Sequence, residues 1–177
     1  MNINKSDIEL LKHLASSKEA SYSKKIAIET GLSTGAASQE LRKLCKMDLI
    51  KREQKGKEIY YSVQIDKPVI KYFKIFSTLL MLNELIILLK EKSKKIILFG
   101  SAAKGEDTAQ SDIDIFILTD NKDDVKKIIY EERNKFPKKL SPIIVDSQES
   151  LMLKNKDIAL KRKIEEGITI WSKKDEY

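Results

Sequence analysis

Along the first third of the chain, apolar side chains recur first at helical and then at strand spacing. Ile8, Leu11 and Leu14 lie three residues apart on one helix face, with Ser6 placed to cap it. Ser21 to Glu29 is expected as a second short helix with Ile26 inward. It ends at Thr30-Gly31-Leu32, where Gly31 suits a left-handed helix end. Ser33 then caps a third helix that turns Ala37, Leu41 and Leu44 inward. Leu49–Arg52 and Ile59–Val63 read as two strands around Gln54-Lys55-Gly56-Lys57, a hairpin signal.

The pattern changes near Pro68. From there to about Lys92 a helix is predicted whose apolar face, including Ile70, Phe73, Phe76, Leu80 and Ile87, is wide enough to require burial against something. Ser77, Thr78, Asn83 and Glu84 interrupt its most apolar part, which on that count falls short of the roughly 18 apolar residues of a bilayer span. Strands follow at Lys95–Phe99, Ile113–Leu118 and Pro142–Val145. Helices are expected at 122–134 and 155–166, and a short last strand at Ile168–Trp171. Strands interleaved with helices make the fold class α+β, with a small mixed sheet flanked by helices.

Composition narrows the chemistry. Among 177 residues there are 34 Lys and Arg against 27 Asp and Glu, a net charge of +7, with 41% hydrophobic residues. That balance excludes wholesale disorder. One cysteine, Cys45, excludes an internal disulfide framework and multi-cysteine metal sites, and one histidine, His13, excludes chemistry needing two. Both read as ordinary packing or surface residues. The N-terminus lacks the apolar core of a secretory signal, so a cytoplasmic location and no membrane partner are expected. Residues 1–65 carry 12 basic and 8 acidic side chains, and residues 66–177 carry 22 and 19, so the excess is denser in the first part.

In that first part, Thr34, Ser38, Gln39, Arg42 and Lys46 fall on the face of the third helix opposite Ala37, Leu41 and Leu44. Arg52, Lys55 and Lys57 sit on the hairpin. A helix offering donors and cations to base edges, beside a basic hairpin that reaches the phosphates, is equipment for double-stranded DNA. Ile26-Ala27-Ile28-Glu29-Thr30-Gly31-Leu32-Ser33, the helix around Leu41, and Gly56-Lys57-Glu58-Ile59-Tyr60-Tyr61 together resemble a winged helix-turn-helix of the ArsR/MarR type over residues 5–64. The resemblance implies binding as a homodimer, and the helix after Pro68 is a candidate interface.

The second part carries Gly100-Ser101-Ala102-Ala103-Lys104-Gly105 after a strand, then Ser111-Asp112-Ile113-Asp114 opening the next. Gly100 lets the backbone approach a ligand, and Ser101 adds a hydroxyl at a helix start where N–H groups cradle phosphate. Asp112 and Asp114, two apart, point to one face and suit Mg²⁺, which takes few protein ligands plus substrate phosphates. This is equipment for phosphoryl or nucleotidyl transfer. Over residues 94–171 it resembles the minimal nucleotidyltransferases of the DNA polymerase β-like superfamily.

That resemblance implies an NTP donor, ATP above all, held with Mg²⁺. Gly100, Ser101, Lys104 and Ser111 would contact the nucleotide, and Asp112 and Asp114 would carry metal. It also implies a third carboxylate on a later strand as general base. Counting back from Leu151, its place falls on Ile144; either Asp146, one pleat later, substitutes as the third catalytic residue in a shifted register, or catalysis is weakened or absent. The expected organisation is a winged helix over 1–65, a linker helix over 66–92 and a nucleotidyltransferase domain over 93–177. The expected function is transfer of NMP, AMP above all, to a hydroxyl of a protein partner. By resemblance the protein would be the antitoxin of a HEPN-type toxin, with DNA bound by the winged helix. The alternative is a transcriptional regulator whose second domain only senses nucleotide.

Overall fold

The computed structural model describes residues 2–17 and 19–173. The chain divides into two compact units, Met1–Lys74 and Ile75–Tyr177. The first is α1 (Lys5–Ser16), β1 (Ser21–Tyr22), α2 (Ser23–Thr30), α3 (Thr34–Lys46), β2 (Ile50–Lys55) and β3 (Glu58–Val63). Three helices on a β1-β3-β2 antiparallel sheet are the helix-turn-helix and wing. Leu10, Leu14, Ile26, Leu41 and Leu44 are buried together as its core. Gly31, at φ 68°, ends α2, and the Ser33 side chain accepts from the Ala36 N–H at 3.2 Å to start α3. The cap of α1 is Asn4 and not Ser6, because the Asn4 side chain and Asp7 close a reciprocal capping box. β1 carries no strand pattern of its own and exists by pairing with Tyr60 and Tyr61.

α4 (Pro68–Lys90) runs from one unit into the next. Ile70 packs in the first core, and Leu82, Leu85 and Leu89 pack in the second. Despite its polar interruptions, α4 does reach the length and composition of a membrane span, at mean hydropathy 1.7 over its best window, with 33% of that window buried. The interrupting residues are neutral or single charges, which dilute the apolar run without ending it.

The second unit continues with β4 (Lys95–Phe99), α5 (Gly100–Lys104), β5 (Ile113–Leu118), α6 (Lys122–Glu132), a 3₁₀ turn at Arg133–Lys135 and β6 (Leu140–Val145). It closes with α7 (Ser147–Lys156), α8 (Ile158–Glu165) and β7 (Ile168–Ser172). The sheet order is β6-β5-β4-β7, parallel between β5 and β6 and antiparallel elsewhere. Leu98, Ile113, Ile115 and Ile117 face α4 and α6, while Ile97, Phe99 and Phe116 face α8. The predicted closing helix corresponds to α8, and α7 before it is a helix the apolar pattern did not mark. Asp146 and Asp157 each accept from the backbone N–H three residues on, so each starts a separate helix.

Asp7 is fully buried in α1 and paired with Lys43 of α3. Burial pushes its carboxyl up, but the Asn4 N–H and the Lys43 ammonium outweigh this and hold it below the ordinary carboxylate range. A carboxyl held low adds stability above its ordinary range and loses it as pH falls through and below that range. Asp7→Asn is therefore expected to lower the melting temperature of the first unit near pH 7 and to match wild type in strong acid. Circular dichroism melts at the two pH values check this, and equal losses at both would show that packing alone is responsible.

Candidate functional site

The second unit brings three of the singled-out residues together through strand register. Phe99, the last residue of β4, pairs with Asp114 of β5. Gly100, the next residue, therefore lies against the Asp114 side chain at φ 70°. A Cβ placed there would stand 2.3 Å from Asp114 Oδ2 and 3.2 Å from its Cγ. Only glycine tolerates both the left-handed backbone and the contact. Ser101 follows in the first turn of α5, where backbone N–H groups have no partner within the helix. Asp112 precedes β5, and the adjacent Ile113 N–H bonds Lys139 O at 2.9 Å, which fixes the pair beside β6. Ser111 accepts from the Thr108 N–H at 2.9 Å, so it closes the loop that leads to the acids.

The two carboxylates are a strained electrostatic pair. Burial pushes the Asp114 carboxyl up, and the Asp112 charge pushes it further, against the opposing Lys163 ammonium and a hydrogen bond from Ser141. Lys139 reaches Asp112 Oδ2 at 3.4 Å. Lys139, Lys163 and Ser141 belong to the site, yet no strand or motif pattern marks them, since they enter through pairing and helix packing. Like charges on a partly buried face beside a close glycine fit a divalent cation that takes two carboxylates and fills its shell with phosphate and water. Among the described residues, no group of three or more His, Cys, Asp and Glu side chains is placed to hold a metal ion without further ligands.

Asp146 is not brought to this pair. β6 runs parallel to β5, with Ser141 opposite Asp114 and Val145 opposite Leu118. Asp146 therefore lies past the far end of the strand, at least about 13 Å along it at the usual rise per residue. Its carboxylate caps α7 through the Glu149 N–H at 2.9 Å and meets Lys122 at 3.1 Å. Ile144, the place obtained by counting back from Leu151, pairs with Ile117, which is also remote. The β6 residue facing the acids is Ser141. Lys104 bonds Glu166 at 3.0 Å, a carboxylate it shares with Arg162, so a nucleotide would have to exchange that exposed pair.

In the first unit, Thr34, Ser38, Gln39, Arg42 and Lys46 line one shallow hollow on α3, all exposed except half-buried Ser38. Glu40 lines the same hollow, hydrogen-bonded by Asn4 at 3.0 Å and ion-paired with Lys43 at 3.6 Å. Arg52, Lys55 and Lys57 are exposed on the wing, with Lys55 3.3 Å from Glu53 and 5.5 Å over the Tyr60 ring. His13 pairs with Glu29 at 3.2 Å, and burial pushes the half-buried Cys45 thiol up, away from reactivity.

A family profile described as "Nucleotidyltransferase domain" matches residues 82–171. Comparison with curated proteins finds no match. Among solved structures, the zinc-responsive MarR family member ZitR of Lactococcus lactis is 24% identical over 48% of this chain and 62% of its own, at TM-score 0.37. The aligned region thus spans less than two thirds of ZitR. NolR from Sinorhizobium fredii is 28% identical over 48% of this chain and 72% of its own, at TM-score 0.32. The archaeal chromatin protein TrmBL2 is 14% identical over 91% of this chain and 71% of its own, at TM-score 0.34.

Two substitutions test the geometry. Gly100→Ala costs about 1–2 kcal/mol in left-handed backbone strain and displaces the Asp114 carboxylate, so it is expected to abolish Mn²⁺ binding measured by electron paramagnetic resonance. A carboxyl held high costs stability once ionised, and the cost disappears as pH falls below the ordinary carboxylate range. Asp114→Asn is therefore expected to raise the melting temperature near pH 7, with the gain fading in acid, while it too loses Mn²⁺. A variant that binds Mn²⁺ like wild type overturns the assignment.

Proposed function

This chain belongs to the nucleotidyltransferase domain family, and on that premise we propose that it transfers a nucleoside monophosphate, AMP in the favoured case, from an NTP to an acceptor hydroxyl. The observation carrying this reading is the Gly100 backbone pressed on Asp114 beside Asp112. Gly100 and Ser101 would hold the triphosphate, with Ser111 shaping the loop and Lys104 able to exchange Glu166 for phosphate. Asp112 and Asp114 would hold Mg²⁺, and Ser141 and Lys163 would orient and balance Asp114. A bound Mg²⁺ neutralises charge on the phosphates and on the departing pyrophosphate. The acceptor oxygen bonds the α-phosphorus, the bond to the bridging oxygen breaks, and the acceptor proton leaves to solvent or a neighbouring base. The acceptor favoured by the family resemblance is a hydroxyl of a protein partner of HEPN toxin type.

The winged helix would bind double-stranded DNA through Thr34, Ser38, Gln39, Arg42 and Lys46, with Arg52, Lys55 and Lys57 on the backbone. Tyr72, Phe76, Leu80 and Ile87 are 51–71% exposed along one stripe of α4, which supports a homodimer joined there. A second reading, a regulator that only senses nucleotide, is favoured by one observation: β6 sets Ser141, not a carboxylate, opposite Asp114.

Incubation with α-labelled ATP, Mg²⁺ and candidate partners distinguishes the two. Label on a partner, lost in Asp112→Ala and Asp114→Ala, supports transfer. Absence of label, together with ATP-dependent change in DNA affinity, supports sensing. For the DNA face, each phosphate contact removed by Arg42→Ala or Lys46→Ala should reduce the log–log salt slope of binding by about 0.9. An unchanged slope would count against that face. Phe76→Glu with Leu80→Glu is expected to halve the mass seen in sedimentation equilibrium, and a wild type that is already monomeric would sink the dimer.

A further inference from the structure

Between α6, the 3₁₀ turn and the edge strand β6 lies a cavity of about 650 Å³ that the proposed transfer does not use. It is within the size range of small-molecule and nucleotide sites. Its cations are Lys126, Arg133, Lys138 and Lys139, and no carboxylate lines it. Lys138 is tied to Asp107, and the exposed Lys139 to Asp112 at 3.4 Å. Among the described residues Lys126 has one loose ion-pair partner, Asp123 at 3.7 Å. The floor is apolar, formed by Ile129, Phe136 and Ile144.

Its most telling feature is Tyr130. The ring is 63% exposed on α6, and the Arg133 guanidinium lies over it at 3.7 Å from the ring centre. Arg133, itself exposed, has no carboxylate partner among the described residues. An aromatic face left open with a guanidinium across it and lysines around it matches how bases are stacked and phosphates met in single-stranded nucleic acid. An acidic protein segment would use the cations but leave the open ring without a partner of its own kind.

We propose that the Tyr130–Arg133 cavity binds a single-stranded nucleic acid segment, one base stacked on Tyr130 and the adjoining phosphates on Arg133 and Lys126. This site is separate from the duplex-binding face of α3 and does not require that Asp112 and Asp114 transfer a nucleotide. Fluorescence anisotropy of a labelled short oligoadenylate on the full chain tests it, with labelled duplex DNA as the control. Tyr130→Ala is expected to weaken oligoadenylate binding by about tenfold, the worth of one stacked base. Tyr130→Phe should retain it, and Arg133→Glu should weaken it and flatten its salt dependence, while duplex binding stays unchanged in all three. Three results would overturn the proposal. One is no measurable oligoadenylate binding; another is binding insensitive to Tyr130→Ala but lost with Arg42→Ala/Lys46→Ala. The third is displacement by polyglutamate as effective as displacement by unlabelled oligoadenylate, which would mark an acidic-protein site.

Discussion

The close approach of the Gly100 backbone to the Asp114 carboxylate governs the second unit. It follows from pairing Phe99 with Asp114, and it leaves no room for a side chain between the end of β4 and the face of β5. At that contact α5 begins at Gly100, the loop closed by Ser111 returns to β5, and Asp112 stands two residues before Asp114. The contact also partly buries one carboxylate beside another, an arrangement that costs stability unless a cation or a proton relieves it.

Much of this was legible because the local rules are strong. Lys95–Phe99 and Ile113–Leu118 were both predicted as strands from runs of apolar residues bounded by polar ones, and the strands have those bounds. Gly31 and Ser33 marked a helix end and a helix start by chemistry that needs no tertiary context. What was not legible depends on pairing across distance. β1 has only two residues and no pattern, α7 lacks an apolar stripe, and Lys139 and Lys163 reach the acids only after β6 and α8 have packed.

α4 shows how an apolar helix can be ambiguous in sequence and specific in structure. Ile70 is spent on the first core and Leu82, Leu85 and Leu89 on the second, yet Tyr72, Phe76 and Leu80 remain outside both. An all-round apolar helix in a small chain must serve more than one neighbour. It contributes to both cores, and the nucleotidyltransferase match begins within it at residue 82.

The third acid is a matter of register, and register is where counting along a sequence fails. Shifting a strand by one residue exchanges its faces, and shifting it by four moves a side chain to the other end of the sheet. Counting back from Leu151 fixes no register: β6 runs parallel to β5, so its start and not its end lies beside the acids. The parallel direction follows from the connection: α6 and the 3₁₀ turn carry the chain back across the sheet before β6 starts, as a crossover must. Asp146 is thus the first residue past the far end, where a carboxylate is useful as a helix cap and is held low by Glu149 and Gln148 N–H groups and Lys122. Ser141, opposite Asp114, can donate a hydrogen bond but cannot take a proton as a carboxylate would. Any base for an acceptor hydroxyl must therefore be one of the two acids already present, a water, or a group that the acceptor brings with it.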